Sequence, residues 1–337
     1  MAAIRTEITE IVTGLAMLGY RDLDDALHVR PMTVVNLADE HYERLVAARL
    51  TGSYNTEFET AWQNGQVFAR ADDGLRGRPP WTIEWKGPHK PPGYEQVPAD
   101  LRIDHVYLVS CKYGSSILHN ASPSHLFDRA LAERRVERGN DWFVTTAPEA
   151  YQEFYQACLV ETELSDMPAS VAELDQTHRQ ALKAALPKRG RLPDKAQRCY
   201  EQFSVAVAMT SAERWRGGLK SAGEREAMLW RLLRLQAAPY FVLGADAHGS
   251  PLRYRVGTPW DFRNRFEMRA FDAWPDAVGQ PMVRWRAEIV DRETTKRAAV
   301  EGHVEIRWTH GRFGGAPEAK VHLDTHPHLV PGYFPLR

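Results

Sequence analysis

Between Pro79 and Tyr113 the chain carries three short segments of good strand formers, with a helical pattern before them and another after. That order constrains the fold more than any other feature. "PPWTIEWKGP" sets Trp81, Thr82, Ile83 and Trp85 between proline and glycine boundaries. "DLRI", from Asp100, and "VYLVSCKY", from Val106, supply two more strands. Ahead of them, "NTEFETAWQNG" offers Asn55 or Thr56 as an N-cap, Phe58, Ala61 and Trp62 as a buried face, and Gly65 as a stop. Behind them, "SPSHLFDRALAERRVERG" reads as a helix capped by Ser122, with Pro123 in its first turn. Leu126, Phe127, Ala130 and Leu131 face inward and Gly139 ends it. "DWFVTTAP" is expected as a fourth strand and "PEAYQEFYQACLVET" as a further helix.

The remainder divides around this α/β segment, residues 51–160. Residues 1–50 read as helical, with Ile8, Ile11, Val12, Leu15 and Leu18 as an apolar stripe and a second helix in "LADEHYERLVAARL". Residues 161–235 read as a polar, helix-rich linker region containing the basic stretch "PKRGRLPDKAQR". Residues 236–337 carry short alternating strands, "YFVLGAD", "LRYRV", "MVRWRAEIVD", "HVEIRW" and "AKVHL", and predict a mostly antiparallel β-rich module. With 337 residues, 43% hydrophobic and a net charge of -1, the chain can bury one large core or two modest ones, and any basic surface must be local. Cys111, Cys158 and Cys199 form neither a zinc pattern nor a disulfide framework, which points to a reducing cytosol. Glu7 and Glu10 interrupt the first apolar run, against a signal peptide, and no run approaches the ~20 residues a membrane span needs.

The chemistry concentrates at "ADLRIDHVYLVSCKY". Alternation puts Ser110 and Lys112 on one face of their strand and Cys111, a core-facing filler, on the other. A hairpin with a three-residue turn at Ile103, Asp104 and His105 sets Asp100 opposite Leu108, on the Ser110/Lys112 face. A two-residue turn sets it on the wrong face. Asp104, on a straight strand, lies too far from Lys112 to cooperate, so Asp100 is the better candidate. A carboxylate and a lysine together at a sheet edge suit phosphodiester hydrolysis. The carboxylate holds a hard cation, and the lysine orients or deprotonates the attacking water.

Helix–strand–strand–strand–helix–strand, with an aspartate on the second strand and Ser110-x-Lys112 on the third, resembles the PD-(D/E)XK, restriction-endonuclease-like nucleases over about a third of the chain. The resemblance implies an α/β core with a mixed sheet flanked by helices, extended here by helical flanking segments and the C-terminal β-rich module. It implies Mg²⁺, or Mn²⁺, as cofactor, Asp100 as a metal ligand, Lys112 as the catalytic lysine, and double-stranded DNA as substrate in restriction or another anti-phage role. It also implies a homodimer, since two strands must be cut. Ser110 stands where the family has Glu or Asp, so it is expected to orient the attacking water through a hydrogen bond, and a second acid must come from elsewhere. Glu84, itself in a Glu-x-Lys pattern with Lys86, and Glu57, on the helix before the sheet, are the candidates for metal binding, with Glu59 a weaker one. Each has a plain alternative. Lysines block strand edges, Glu57 is a first-turn acid favoured by the helix dipole, and Glu84 fits a solvated strand position.

Basic clusters outside this core fit DNA contact. Lys188, Arg189, Arg191, Lys195 and Arg198 form one. "RWRGGLK" gathers Arg214, Arg216 and Lys220 as a backbone-contacting loop would, and "TPWDFRNRF" gathers Arg263, Asn264 and Arg265 with Trp260, Phe262 and Phe266. The plain reading is a solvated charged face over buried aromatics. His322, Asp324, His326 and His328 read as a loop with incidental histidines rather than a metal site. Ser115, Ser116 and Ser122 lack a nucleophile-elbow context. Two rival readings remain. One is a nucleic-acid-binding protein with a degenerate core. The other is a small-molecule-binding protein that uses the C-terminal β module.

Overall fold

The computed structural model describes residues 2–87, 98–114, 116–128, 141–187, 190–276 and 279–337. Ser115, Ala130, Leu131, Gly139, Lys188 and Arg189 lie outside them. In chain order come α1 (Ala2–Leu15), α2 (Leu23–Val29), β1 (Val34–Val35), α3 (Asp39–Leu50), α4 (Asn55–Arg70), β2 (Ile83–Trp85), β3 (Leu101–Ile103), β4 (Tyr107–Tyr113) and β5 (Ile117–Ala121). Then follow α5 (Pro123–Phe127), α6 (Trp142–Thr146), α7 (Pro148–Thr162), α8 (Gln176–Ala185), α9 (Asp194–Gly218) and α10 (Ala222–Leu232). Last are β6 (Tyr240–Ala245), β7 (Pro251–Val256), α11 (Pro259–Arg265), β8 (Phe266–Asp276), β9 (Met282–Asp291), β10 (Arg297–Trp308), β11 (Pro317–Leu323) and β12 (Tyr333–Pro335). Among the described residues no helix is long and apolar enough to cross a membrane.

The chain is mixed α/β and forms two compact units that interleave in sequence. Residues 1–116, 235–266 and 326–337 make the first, and residues 117–234 and 267–325 the second. These differ from the four consecutive segments expected from the sequence. Pairing across long stretches of chain sets the division, and local patterning does not reveal it.

The first unit holds a mixed seven-stranded sheet in the order β1-β2-β3-β4-β6-β7-β12. β2, β3 and β4 form an antiparallel meander, β6 runs parallel to β4, and β7 is antiparallel to β6. All six residues of β6 are buried, as an interior strand requires. The apolar stripe of α1 is buried as expected at Ile8, Ile11, Val12 and Leu15, and it joins Ile83, Trp85, Leu101, Ile103 and Val109 in one core. Gly65 does not stop its helix, which runs on to Arg70. A Cβ there would overlap the Thr13 carbonyl, so this glycine serves the close approach of α4 to α1.

The β3–β4 turn has three residues, but they are Asp104, His105 and Val106, one step later than expected. Asp104 and His105 take positive φ, 49° and 60°. The Asp104 carboxylate ties the turn to the β2 entry by accepting from the Trp81 N–H (2.7 Å) and the Thr82 N–H (3.1 Å) and from Arg78 (2.6 Å). Short polar side chains tolerate this backbone region.

The second unit holds a five-stranded sheet, β5-β11-β10-β9-β8, with antiparallel registers. Val304, Ile306 and Trp308 alternate inward on β10 and are buried. Trp308 meets the aromatic cluster of Phe143, Tyr151, Phe154 and Phe203 from α6, α7 and α9. The long helix α9 of residues 161–235 is thus a core element, not a linker. The C-terminal strands split between the sheets, β6, β7 and β12 in one and β8 to β11 in the other. The expected strand "DWFVTTAP" is instead α6 followed by the start of α7. The Asp141 carboxylate caps the Phe143 N–H at 3.0 Å, and Pro148 opens α7 in its first turn.

Candidate functional site

The expected site residues in the first unit fall at the end of the β2–β3–β4 meander. Leu101 pairs with Val109, which sets Asp100 opposite Ser110 rather than Leu108, and still on the Ser110/Lys112 face. Extending the β2–β3 register puts Lys86 in the same row, and the Lys86 N–H donates to the Asp100 carbonyl at 2.9 Å. Lys112 lies one step further along that face, half-buried, with Gly244 of β6 as its parallel partner. A Cβ at Gly244 would overlap the Lys112 carbonyl, so glycine lets the strands close here.

Asp100 is held by β4. Its Oδ2 accepts from the Ser110 hydroxyl at 3.2 Å and from the Cys111 N–H at 2.6 Å. That N–H lies beyond the last β3–β4 pair, so the carboxylate takes the place of the carbonyl that β3 no longer offers. Asp100 Oδ1 accepts no hydrogen bond among the described residues. Ser110 is buried, 3% exposed, and its hydroxyl is directed at Asp100, where the sequence has it orient the attacking water.

The two acids expected to complete the site are otherwise engaged. Glu57 pairs with Arg5 of α1 at 2.9 Å, and Glu59 is exposed. Glu84 accepts from Arg102, directly opposite on β3, at 2.6 Å and from buried Lys86 at 3.3 Å. Burial raises the Glu84 carboxyl, but Lys86 and Arg102 outweigh it and hold it below the usual carboxylate range. Glu84, Lys86 and Arg102 therefore form one ion-pair cluster.

The sequence reading missed Glu10. It accepts from Trp85 Nε1 at 2.7 Å, and it reaches the same end of the sheet from the α1 face. Burial, then the negative charges of Asp100 and Glu10, push the Cys111 thiol well above its ordinary range, against a Thr13 hydrogen bond and the Lys112 charge. In the sequence Glu10 served only as a charge that interrupts an apolar run.

The basic clusters lie in both units. Arg214 is committed to Asp128 at 3.0 Å and lies over the Trp142 ring, whereas Arg216 and Lys220 are exposed. "RWRGGLK" is not a loop, because α9 continues to Gly218. Arg263 and Asn264 project from α11, whose Thr258/Asp261 capping box and buried Phe262 fix its orientation. Arg265 lies over the Phe266 ring. In the second unit a cavity of about 380 Å³ is lined in part by Lys183, Arg307, Arg312 and Lys320, of which Arg307 and Lys320 pair with Glu305 and Glu318.

No protein-family model, curated protein or solved structure matches the chain.

Proposed function

We propose that the chain is a Mg²⁺-dependent nuclease acting on double-stranded DNA, of restriction-endonuclease type, in restriction or a related anti-phage role. The observation that carries the reading is the register that gathers Asp100, Ser110 and Lys112 on one face at a common sheet end, with Asp100 Oδ1 left without a hydrogen bond among the described residues. The surrounding topology supports it. A helix leads into an antiparallel three-strand meander whose last strand is flanked by a parallel fourth strand.

The donors fit a hard dication. Asp100 offers a carboxylate oxygen, and Mg²⁺ needs only one or two carboxylates, with water and substrate phosphate completing its shell. Asp100 would hold the ion through Oδ1. When bound, the ion supplies Lewis-acid stabilisation of the charge developing on the phosphoryl oxygens. Lys112 orients the attacking water, draws off its proton and neutralises charge near the scissile phosphate. Ser110 acts as a positioning residue that fixes the Asp100 carboxylate. Exposed Arg216, Lys220, Arg263 and Asn264 are the DNA-contacting candidates, and a homodimer would supply the second cut.

The test is nicking and linearisation of plasmid and phage DNA, modified and unmodified, with Mg²⁺, Mn²⁺ or EDTA. Asp100→Asn and Lys112→Ala are each expected to lower the rate by about a hundredfold or more. Glu57→Gln is expected to cut like the parent. Cutting that survives both site variants, or a folded chain that cuts none of these substrates, overturns the reading. DNA binding without cutting would favour the rival of a degenerate core, for which serine in place of the middle acid is the specific observation.

A further inference from the structure

We infer that the second unit carries a separate site for a first-row divalent transition metal, built from His303, Glu305 and His322 on the solvent-side face of β10 and β11. This proposal does not rest on the nuclease reading. His303 and His322 are directly opposite in the β10–β11 register, and Glu305 follows two residues along the same face. The imidazoles stack in parallel, with centroids 4.5 Å apart and planes within 6°. Glu305 Oε2 lies 3.5 Å from His322 Nε2. One ligand atom from each of the three residues falls within 4.8 Å of the others. A tetrahedral ion with bonds of ~2.1 Å needs ligand atoms about 3.4 Å apart, so small side-chain rotations close the site.

Three further features set this trio apart from a chance meeting of polar side chains. First, Asp324 accepts at His303 Nδ1, at 2.8 Å and 3.0 Å. A carboxylate on Nδ1 fixes the tautomer that leaves Nε2 as the metal-binding nitrogen, and such partners orient most ligating histidines. Second, His322 is 7% exposed, and its ring lies against another imidazole. Third, the β11–β5 register shifts between Val321 and His322, a local irregularity that re-aims a side chain. Two imidazoles and one carboxylate form a zinc-type donor set with one coordination position left open.

The cluster also revises the reading of the tail histidines. His322 and Asp324 belong to the site, whereas His326 and His328 pair with each other, rings 5.0 Å apart, in the first unit. The decisive partners, His303 and Glu305, sit about 20 residues earlier, and cross-strand register brings them in.

The experiment uses the full chain, stripped with chelator, in the Asp100→Asn background so that the first-unit site contributes nothing. Zn²⁺ is titrated against a chromophoric competitor, and Co²⁺ is followed by its visible d–d bands. One equivalent of Zn²⁺ is expected, with intense low-symmetry Co²⁺ bands. His322→Asn and Glu305→Gln should each weaken binding at least about tenfold, and Asp324→Asn about tenfold or more through His303. A His326→Asn/His328→Asn double variant should bind like the parent. Circular dichroism checks folding, and Glu305→Gln serves if His322→Asn fails to fold. Absence of Zn²⁺ binding by the folded parent overturns the proposal. So does parental affinity in His322→Asn and Glu305→Gln, or loss of binding in the His326/His328 variant alone.

Discussion

Asn64 holds the far end of β4 in place, and replacing it with leucine should loosen the sheet there. Its side chain is fully buried and makes three hydrogen bonds. Nδ2 donates to the Tyr113 hydroxyl at 3.0 Å and to the Gly244 carbonyl at 3.1 Å, and Oδ1 accepts from Arg253 Nε at 2.8 Å. Burial keeps the Tyr113 phenol above its ordinary range, so it stays protonated and within reach of Thr13 Oγ1 at 3.3 Å. Leucine preserves volume and removes all three bonds. The orphaned guanidinium contact costs about 1.5–3 kcal/mol, and the two neutral groups about 1 kcal/mol each, since each keeps another partner. The expected loss is about 4 kcal/mol, a large share of the ~5–15 kcal/mol typical of a folded domain. Asn64→Asp keeps the bond to Arg253 and should lose less. Urea unfolding reads the total, and hydrogen exchange of the β4 and β6 amides localises it. A loss below about 1 kcal/mol, or faster exchange spread evenly over the second unit, would refute the assignment of this network.

Two further outcomes follow from local geometry. Gly65→Val should destabilise the first unit by about 3 kcal/mol or more, because the added side chain must force α4 away from the Thr13 carbonyl of α1; unchanged thermal unfolding would contradict the close approach. At Asp104 burial raises the carboxyl, but Arg78 and the Thr82 and Trp81 N–H groups outweigh it and hold it below its usual range. A depressed folded value contributes stability above the unfolded value of ~3.9, and that contribution is lost as pH falls through the folded value. The stability gap between the parent and Asp104→Asn, which tolerates the positive φ, should therefore be full near neutrality and narrow below about pH 4; a gap independent of pH would exclude the ion-pair and N–H contacts as its source.

What could be read from the sequence was local. The apolar stripe of α1, the bounds of α7 and β9, and the shared face of Asp100, Ser110 and Lys112 all follow from periodicity over a few residues. The turn slipped by one position because Asp104 supports a positive φ that a strand residue such as Ile103 does not, and this difference is weak in sequence. "DWFVTTAP" misled because Trp, Phe, Val and Thr are strand formers, while the Asp141 cap and the aromatic packing of α6 decided for helix. Longer-range features left no local trace. β6 pairs with β4 only after the chain has built residues 117–234 of the other unit. Glu10 meets Trp85, and His303 meets His322, through packing and register that no spacing rule specifies.

Under the proposed function, the exchange of the middle acid for serine has a definite electrostatic consequence. Two carboxylates on adjacent strands would repel each other before a cation arrives. Ser110 and the Cys111 N–H instead place two donors on one oxygen of Asp100, so that carboxylate is held in position without a metal, and its other oxygen remains a ligand. The site gives up one anionic donor on β4, and affinity for a hard dication falls with the charge count of its ligands. Glu10 does not restore that donor, because it lies on the α1 face of the sheet, where it accepts from Trp85 Nε1 at 2.7 Å. Glu57 could not fill that role, because Arg5 already neutralises it at 2.9 Å.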